Sequence, residues 1–389
     1  MNLILGILVG LLVLTILVAL HELGHAYAAI KNGVVVEEYG IGFPPAAIKF
    51  KKKTDWILPK GTLVSINWLP LGGFVKLQGE HDSDSGKGDY GAASFWGKTQ
   101  ILLAGVAVNW AVAAILFSIL AIFGLPKILP NQFMIASDAR VTGGEVEITE
   151  IVKDMPAEVA GLKTGDVIQR IAGEKISSTE DVARLSKSNT GKTTAFEITR
   201  NGRVEVKNVQ LRAENKDKKG FAGVGTFKKD EQIHATWSAP IVGVGTTVQL
   251  TAETFSGVGK MAGNFFSGLF EKIIPSESAQ KSANAKLDEA GKGVAGPISI
   301  MGVLFPNATA MGIKMVLFLA AVISLSLAVM NTLPIPALDG GRWLSTFIFR
   351  KVLKKPLSAE TEEKINLAGF AFVMGLSLLV IISDFFKVF

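Results

Sequence analysis

The stretch HELGH, residues 21 to 25, sets two histidines four residues apart and places a glutamate directly after the first. A helix turns about 100° per residue, so on a helix His21 and His25 project from nearly one face, and both imidazoles reach one ion. Glu22 then lies beside that ion without binding it, placed to take a proton from the water the ion activates. Two histidines with a carboxylate as third ligand suit zinc, provided a fourth position stays open for catalysis. With no cysteine and only four histidines, the chain must hold any metal through His, Asp or Glu, and no disulfide braces an exported part. The competing reading is a polar cap on an apolar helix. It leaves costly ionisable groups beside the apolar run with neither partner nor task.

A second polar intrusion is MNTLPIPALDGGRW, residues 330 to 343. Pro334 and Pro336 interrupt a helix there and free backbone groups, which apolar surroundings tolerate only where they line a cavity. Asp339 follows and can complete a site of two histidines and one carboxylate; alternatively, LDGG is a turn with Asp as a helix cap.

These residues need elements to hold them. The chain has 389 residues, 49% hydrophobic and 19% charged, and a mean hydropathy of +0.38, which points to a membrane protein. Four apolar stretches are long enough to cross a bilayer core: Leu3 to Leu20, Ile101 to Leu125, Ile313 to Pro334 and Leu367 to Phe385. The first lacks a basic flank and a small-residue cleavage site, which argues against a signal peptide. The net charge is +6. Basic residues gather at Lys49, Lys51, Lys52, Lys53 and Lys60, and at Arg342, Arg350, Lys351, Lys354 and Lys355. Both loops are expected on the cytoplasmic side, with the two termini and the segment from about Pro126 to Gly312 opposite. On this threading Asp339 shares the side of His21 and His25, toward the cytoplasm. Without interleaved aromatics or a binding fold, the lysines do not indicate nucleic acid.

Between the first two spans, short β-prone runs broken by Gly and Pro predict hairpins, with Trp56, Trp68 and Phe74 suited to the membrane interface. HDSDSGKGDYGAAS, residues 81 to 94, reads as a mobile polar loop with His81 solvated. From Glu145 the pattern is that of a small soluble α+β domain. MPAEVAGL has Pro156 early in a short helix and Gly161 past its end, and Ser178 and Asp181 have capping-box spacing. This order of elements resembles a circularly permuted bacterial PDZ domain over about Val141 to Arg212. Such a module accepts an extended peptide as an added strand. Gly143 and Gly144, preceding the strand of Val146, either receive a C-terminal carboxylate there or form only a turn. The stretch from Thr236 to Gly312 suggests an interfacial amphipathic helix.

HELGH, PLGGFVKLQGE, the PDZ-like segment and NTLPIPALDGG, in this order, together resemble the site-2 protease family of intramembrane zinc metalloproteases. The likeness is to the bacterial branch that cleaves membrane-anchored anti-sigma factors. The resemblance implies His21, His25 and Asp339 as zinc ligands and Glu22 as catalytic acid and base. It also implies that the hairpin around Leu71 to Leu77, with Gly72, Gly73 and Phe74, is an edge strand that pairs with unwound substrate. Asn331 then holds substrate or orients Asp339, or merely packs helices. GPISI, residues 296 to 300, matches a stretch before the third span. The chain departs from the family at Val106, where AGVAVN replaces the usual A-G-P-x-x-N with Asn109 retained, and in having one PDZ segment instead of a tandem pair. Asn109 is read as substrate-binding or as an interhelical hydrogen-bonding residue.

The expected architecture is a multi-domain membrane protein with a four-helix metalloprotease core. Residues 1–125 carry two spans and the hairpin region, 126–230 the inserted PDZ domain, 231–312 an interfacial connection, and 313–389 the last two spans. Expected partners are single-span membrane protein substrates, peptide ends at the PDZ groove and the lipid bilayer of the cytoplasmic membrane. Two rivals remain: a catalytically silent membrane scaffold that binds exported proteins, and a tethered protease that cuts soluble loops.

Overall fold

The computed structural model describes residues 2–215, 219–292 and 296–388; three residues of the 126–230 segment (216–218) and three of the connection (293–295) lie outside the described residues. The chain divides into two compact units, Met1–Phe123 with Trp237–Phe389, and Gly124–Thr236.

In the larger unit, helix α1 (Asn2–Lys31) is followed by strands β1 (Val36–Lys51) and β2 (Leu63–Leu77) and helix α2 (Phe95–Phe123). The apolar run of α1 does not end at HELGH. Nothing breaks the helix until Asn32, whose side chain donates to Ala28 O at 2.9 Å, and Gly33, at φ 76°, which together close it in the manner of a left-handed C-terminal cap. His21, Glu22 and His25 therefore sit in the rigid body of the helix.

The β1–β2 pair is folded twice. Glu38–Ile41 pairs with Gly73–Lys76 on one side and with Leu63–Ile66 on the other, while Ile48–Lys51 pairs with Leu63–Ile66. The segment Gly73–Leu77 is thus an edge among the described residues. The loop that follows is not a free one. Its Asp82 is 1% exposed and is bound by Lys98 at the start of α2.

The unit resumes with α5 (Ala239–Lys272), α6 (Glu277–Lys292), α7 (Pro297–Ser299), a π-helical turn Ile300–Leu304, α8 (Phe305–Met311), α9 (Ile313–Thr332), α10 (Asp339–Phe347), a second π-turn Ile348–Val352, and α11 (Ala359–Val388). Helices α1, α2, α9 and part of α11 are long and apolar enough to cross a membrane. Helix α5 differs from the expected interfacial helix. Its first half buries small residues, Ala239, Gly243, Thr246 and Thr247, and the indole N–H of Trp110 on α2 donates to Thr251 Oγ1 at 3.2 Å. A Cβ at Gly243 would collide with the Ala114 and Ser118 backbone of α2. Small residues let two backbones approach where a larger apolar face would hold them apart.

In the smaller unit, β3 (Leu125–Pro126), β4 (Arg140–Thr142) and β11 (Gln232–His234) form one sheet. A second sheet runs β10 (Val224–Lys228), β5 (Val146–Ile151), β6 (Val167–Ile171), β8 (Thr193–Arg200), β9 (Arg203–Gln210), with β7 (Glu174–Lys175) beside β6. Helices α3 (Pro156–Val159) and α4 (Thr179–Ser188) complete it. Alternate strand residues Ile148, Ile168, Phe196 and Ile198 join Val182 and Leu185 of α4 in one apolar core, as period-two burial requires. The capping box at Ser178 and Asp181 forms with both bonds present.

The carboxylate loop expected at Gly143 and Gly144 is corrected here. Strand β5 is bonded on both edges, to β10 and to β6, and Val146 is 1% exposed, so no peptide can add beside it. The N–H of Gly144 is already spent on Lys229 O at 2.8 Å. Both glycines have positive φ, 84° and 76°, and serve a turn. Among the described residues the open edges of this sheet belong to its two end strands, β10 beside β5 and β9 at the far side.

Candidate metal centre

On α1 the HELGH spacing places the two imidazoles edge to face, with ring centroids 4.7 Å apart and Nε2 atoms 3.0 Å apart. Asp339 reaches them from a distant part of the chain. Helix α9 stops at Thr332, two prolines carry the chain through an irregular turn, and α10 restarts at Asp339 itself. Ala337, at φ 76°, holds a left-handed conformation that costs an L residue about 1 kcal/mol or more. A Cβ at Gly340 or Gly341 would collide with the carbonyls of Thr332 or Ile335, so the two glycines after the aspartate let α10 start against that turn. The cap position belongs to Leu338, which makes no side-chain capping bond, so Asp339 is not the helix cap that LDGG also allowed.

The Asp339 Oδ2 atom lies 3.2 Å from His21 Nε2 and 3.4 Å from His25 Nε2. Although both nitrogens are close, this oxygen is buried with no aligned hydrogen bond. Three lone-pair atoms facing a common point at such separations could hold one metal ion. A tetrahedral ion with bonds of about 2.0–2.1 Å spaces its ligands by roughly 3.3 Å, so the donor set fits a zinc ion. Among the described residues, this is the group of His and acidic side chains with that convergence. The Nδ1 of His25 is 2.7 Å from Ile101 O. It donates there, which leaves Nε2 unprotonated toward the centre, an outer partner typical of ligating histidines.

A cavity of about 400 Å³ opens on these atoms. Its lining gathers nearly every residue singled out from the sequence: His21, Glu22, His25, Gly72, Gly73, Phe74, Asn109, Asn331 and Asp339. Gly143, Gly144 and Val146 are the exceptions, being in the other unit. A Cβ at Gly73 would lie 3.2 Å from Glu22 Cγ, which places the edge strand directly over the glutamate. Asn109 is fully buried, and its amide is 3.2 Å from His21 Nδ1. Val106, in place of the family proline, lies within an unbroken α2.

Sequence reasoning missed Gly105 and the place of Arg342. A Cβ at Gly105 would lie 2.5 Å from His25 Nε2 and 2.7 Å from His21 Nε2, so only glycine leaves room for both imidazoles. The signal was its i, i+4 relation to Asn109, which puts both on one face of α2. Arg342, counted only as a loop charge, lines the cavity one turn after Asp339.

The pattern of Peptidase family M50 matches residues 9–376. A protein assigned as a zinc metalloprotease in Clostridium perfringens is 30% identical over 97% of this chain and 98% of its own length. A protein named as a protease, eep, of Enterococcus faecalis is 26% identical over 97% of this chain and 98% of its own. The zinc metalloprotease RasP of Shouchella clausii is 24% identical, with the same coverage of both chains.

Proposed function

Because this chain belongs to peptidase family M50 and is a zinc metalloprotease of the site-2 type, we propose that it cuts peptide bonds within or near the transmembrane segments of single-span membrane proteins. One observation carries the reading: Glu22 and the convergent His21, His25 and Asp339 share a cavity with the open edge strand Gly73–Leu77. His21, His25 and Asp339 would hold the ion. Bound there, zinc supplies Lewis acidity and a water of lowered pKa. Glu22, with no ion-pair partner among the described residues, takes the proton of the attacking water and returns it to the leaving nitrogen. A helical peptide bond is closed off by its own hydrogen bonds, so a substrate must unwind before attack. The outer edge of Gly73–Lys76 offers it a strand to join, as in other modes of β-addition, and Asn331 lines the same cavity, where it would hold the unwound stretch.

Anti-sigma factors and signal-peptide remnants are the substrate classes we assign. The basic loops support a cytoplasmic-facing site in a four-span helical core, with both termini and the smaller unit on the opposite side. That unit acts as a PDZ-type filter which excludes substrates with untrimmed bulky ectodomains, and the peptide adds along β10. The test is cleavage of a single-span substrate by reconstituted protein, with the cut mapped by mass spectrometry. Wild type should cut inside or beside the span, and Glu22→Gln should bind zinc yet cut at least about 10²-fold more slowly, the usual worth of a general base. A cut far outside the span would support the tethered protease. A metal-free wild type that cuts nothing would favour the membrane scaffold.

A further inference from the structure

We propose that Asn109 is the positioning residue of His21: its carboxamide oxygen accepts the Nδ1 proton of that imidazole and so fixes the tautomer that offers Nε2 to zinc. This role rests on His21 being a ligand, as assigned above.

Two features of one side chain point to it. The Asn109 nitrogen Nδ2 lies 3.2 Å from His21 Nδ1, while its oxygen Oδ1 is buried without a hydrogen-bond partner. A neutral imidazole carries one proton, and the nitrogen that ligates must be the bare one. With Nε2 facing Asp339 and His25, the proton belongs on Nδ1, which then needs an acceptor. An amide nitrogen there opposes donor to donor. The two ends of a carboxamide are nearly the same size, and which is which is set by the hydrogen bonds they can make. Turning the amide over places Oδ1 against Nδ1–H and satisfies the stranded oxygen, both at once.

His25 shows the same arrangement with a group that cannot turn over. Its Nδ1 faces the carbonyl of Ile101 at 2.7 Å, which can only accept. Ile101, Gly105 and Asn109 are spaced by four on α2, so one helix face supplies an acceptor to each imidazole and, between them, the room both need. The backbone at Asn109 is also pinned, since Ser324 of α9 donates to its carbonyl at 2.8 Å. The side chain is thereby held at a fixed height beside His21.

A packing role for Asn109 predicts different behaviour on substitution. Asn109→Asp keeps two acceptors and removes the donor; Asn109→Leu keeps the volume and removes both. Zinc affinity of the purified full-length chain, measured by chelator competition, should fall about 10–100-fold in Asn109→Leu, the usual cost of losing an outer partner. Asn109→Asp should bind at least as tightly as wild type. Wild-type affinity in Asn109→Leu, or an equal loss in Asp and Leu, overturns the proposal. Should the Leu variant not fold, the Asp variant decides alone, and a more than tenfold loss there sinks it. His21→Ala separates this role from its premise. If that variant keeps full zinc affinity, the ligand assignment itself fails; if it loses zinc while Asn109→Leu does not, only the role of Asn109 is lost.

Discussion

Asp82 and Asp339 are both carboxylates drawn into the interior of the larger unit, one among partners that use up its oxygens and the other among groups that leave an oxygen idle. Asp82 receives Lys98 on Oδ1 and Arg350 Nε and the Leu357 amide on Oδ2, each at 2.8 Å. Burial pushes its carboxyl up, but Lys98, the Leu357 amide and Arg350 outweigh that and hold it below the usual carboxylate range. Its own N–H donates to Glu362 at the start of α11, at 2.9 Å. The cluster ties the 81–94 loop to the ends of α2 and α11, and its valences are closed. Asp339 instead turns a buried oxygen toward two bare imidazole nitrogens and bonds to neither. A cluster kept for structure satisfies itself, because an unpaired buried charge is costly. A cluster kept for a ligand leaves lone pairs converging on a point, and the ion supplies the compensation.

The largest expected effect follows from breaking the open cluster. Asp339→Ala should abolish cleavage and bring zinc content near zero by elemental analysis. The melting temperature of the metal-free protein should stay the same or rise, since an unsatisfied polar group has been removed. The closed cluster should respond the other way. Lys98→Met leaves Asp82 buried without its main partner, a loss of about 3–5 kcal/mol, or roughly 4–6 °C in melting temperature at this size. Zinc bound per folded molecule should not change. If Asp339→Ala destabilises the metal-free chain as much as Lys98→Met does, the distinction between the two clusters collapses.

Gly105→Ala tests the middle ground. The added methyl presses on both imidazole Nε2 atoms, so the cost of overpacking, about 1–3 kcal/mol, should fall on the candidate metal site. Zinc affinity should drop more than tenfold, while a similar substitution at Gly302, where a Cβ meets nothing, should leave it intact. Isothermal titration with zinc on both variants measures this directly.

What could be read beforehand divides along physical lines. The shared face of His21 and His25 was legible because helical period alone dictates it, and the approach of Asp339 to them was suggested by counting spans. The capping box at Ser178 was legible for the same reason, being a matter of three residues. Who pairs with whom was not. The glycines before β5 allowed a carboxylate-binding loop as well as a turn, but the strand's second partner, β10, comes from more than seventy residues later, and pairing over that distance leaves no local trace. Apolar residues recurring at helical spacing in α5 suggested the interface, and the small residues of its first half, which serve close approach to α2, gave no sign of that contact. Gly105 was passed over because a glycine in an apolar helix has many uses, and only the position of the imidazoles selects one. The loop at 81–94 looked mobile by composition because Asp82 meets Arg350 and Leu357 only in the folded chain.

The smaller unit offers a third carboxylate on which the same rule can be tried at lower cost. Asp166 is 1% exposed and is held by Arg200 through Nε on Oδ1 and Nη2 on Oδ2, both at 2.7 Å, while Lys163 N–H adds a bond at 2.8 Å. Burial raises its pKa, yet Arg200 and the Lys163 amide outweigh burial and hold the carboxyl below its ordinary value. By its partners it belongs with Asp82, as a closed pair. A group whose folded pKa is depressed contributes stability above its unfolded pKa, about 3.9, and loses that contribution as pH falls through the folded value. Arg200→Met should therefore cost about 1.5–3 kcal/mol at pH 7, the worth of hydrogen bonds to a charge. The gap to wild type should narrow once the pH drops below about 4. Hydrogen exchange at Ile168 and Ile198, on the paired strands β6 and β8, reads that gap at each pH. A difference that stays constant down to acid would mean Arg200 works by packing alone, and the closed-cluster account would then rest on Asp82 only.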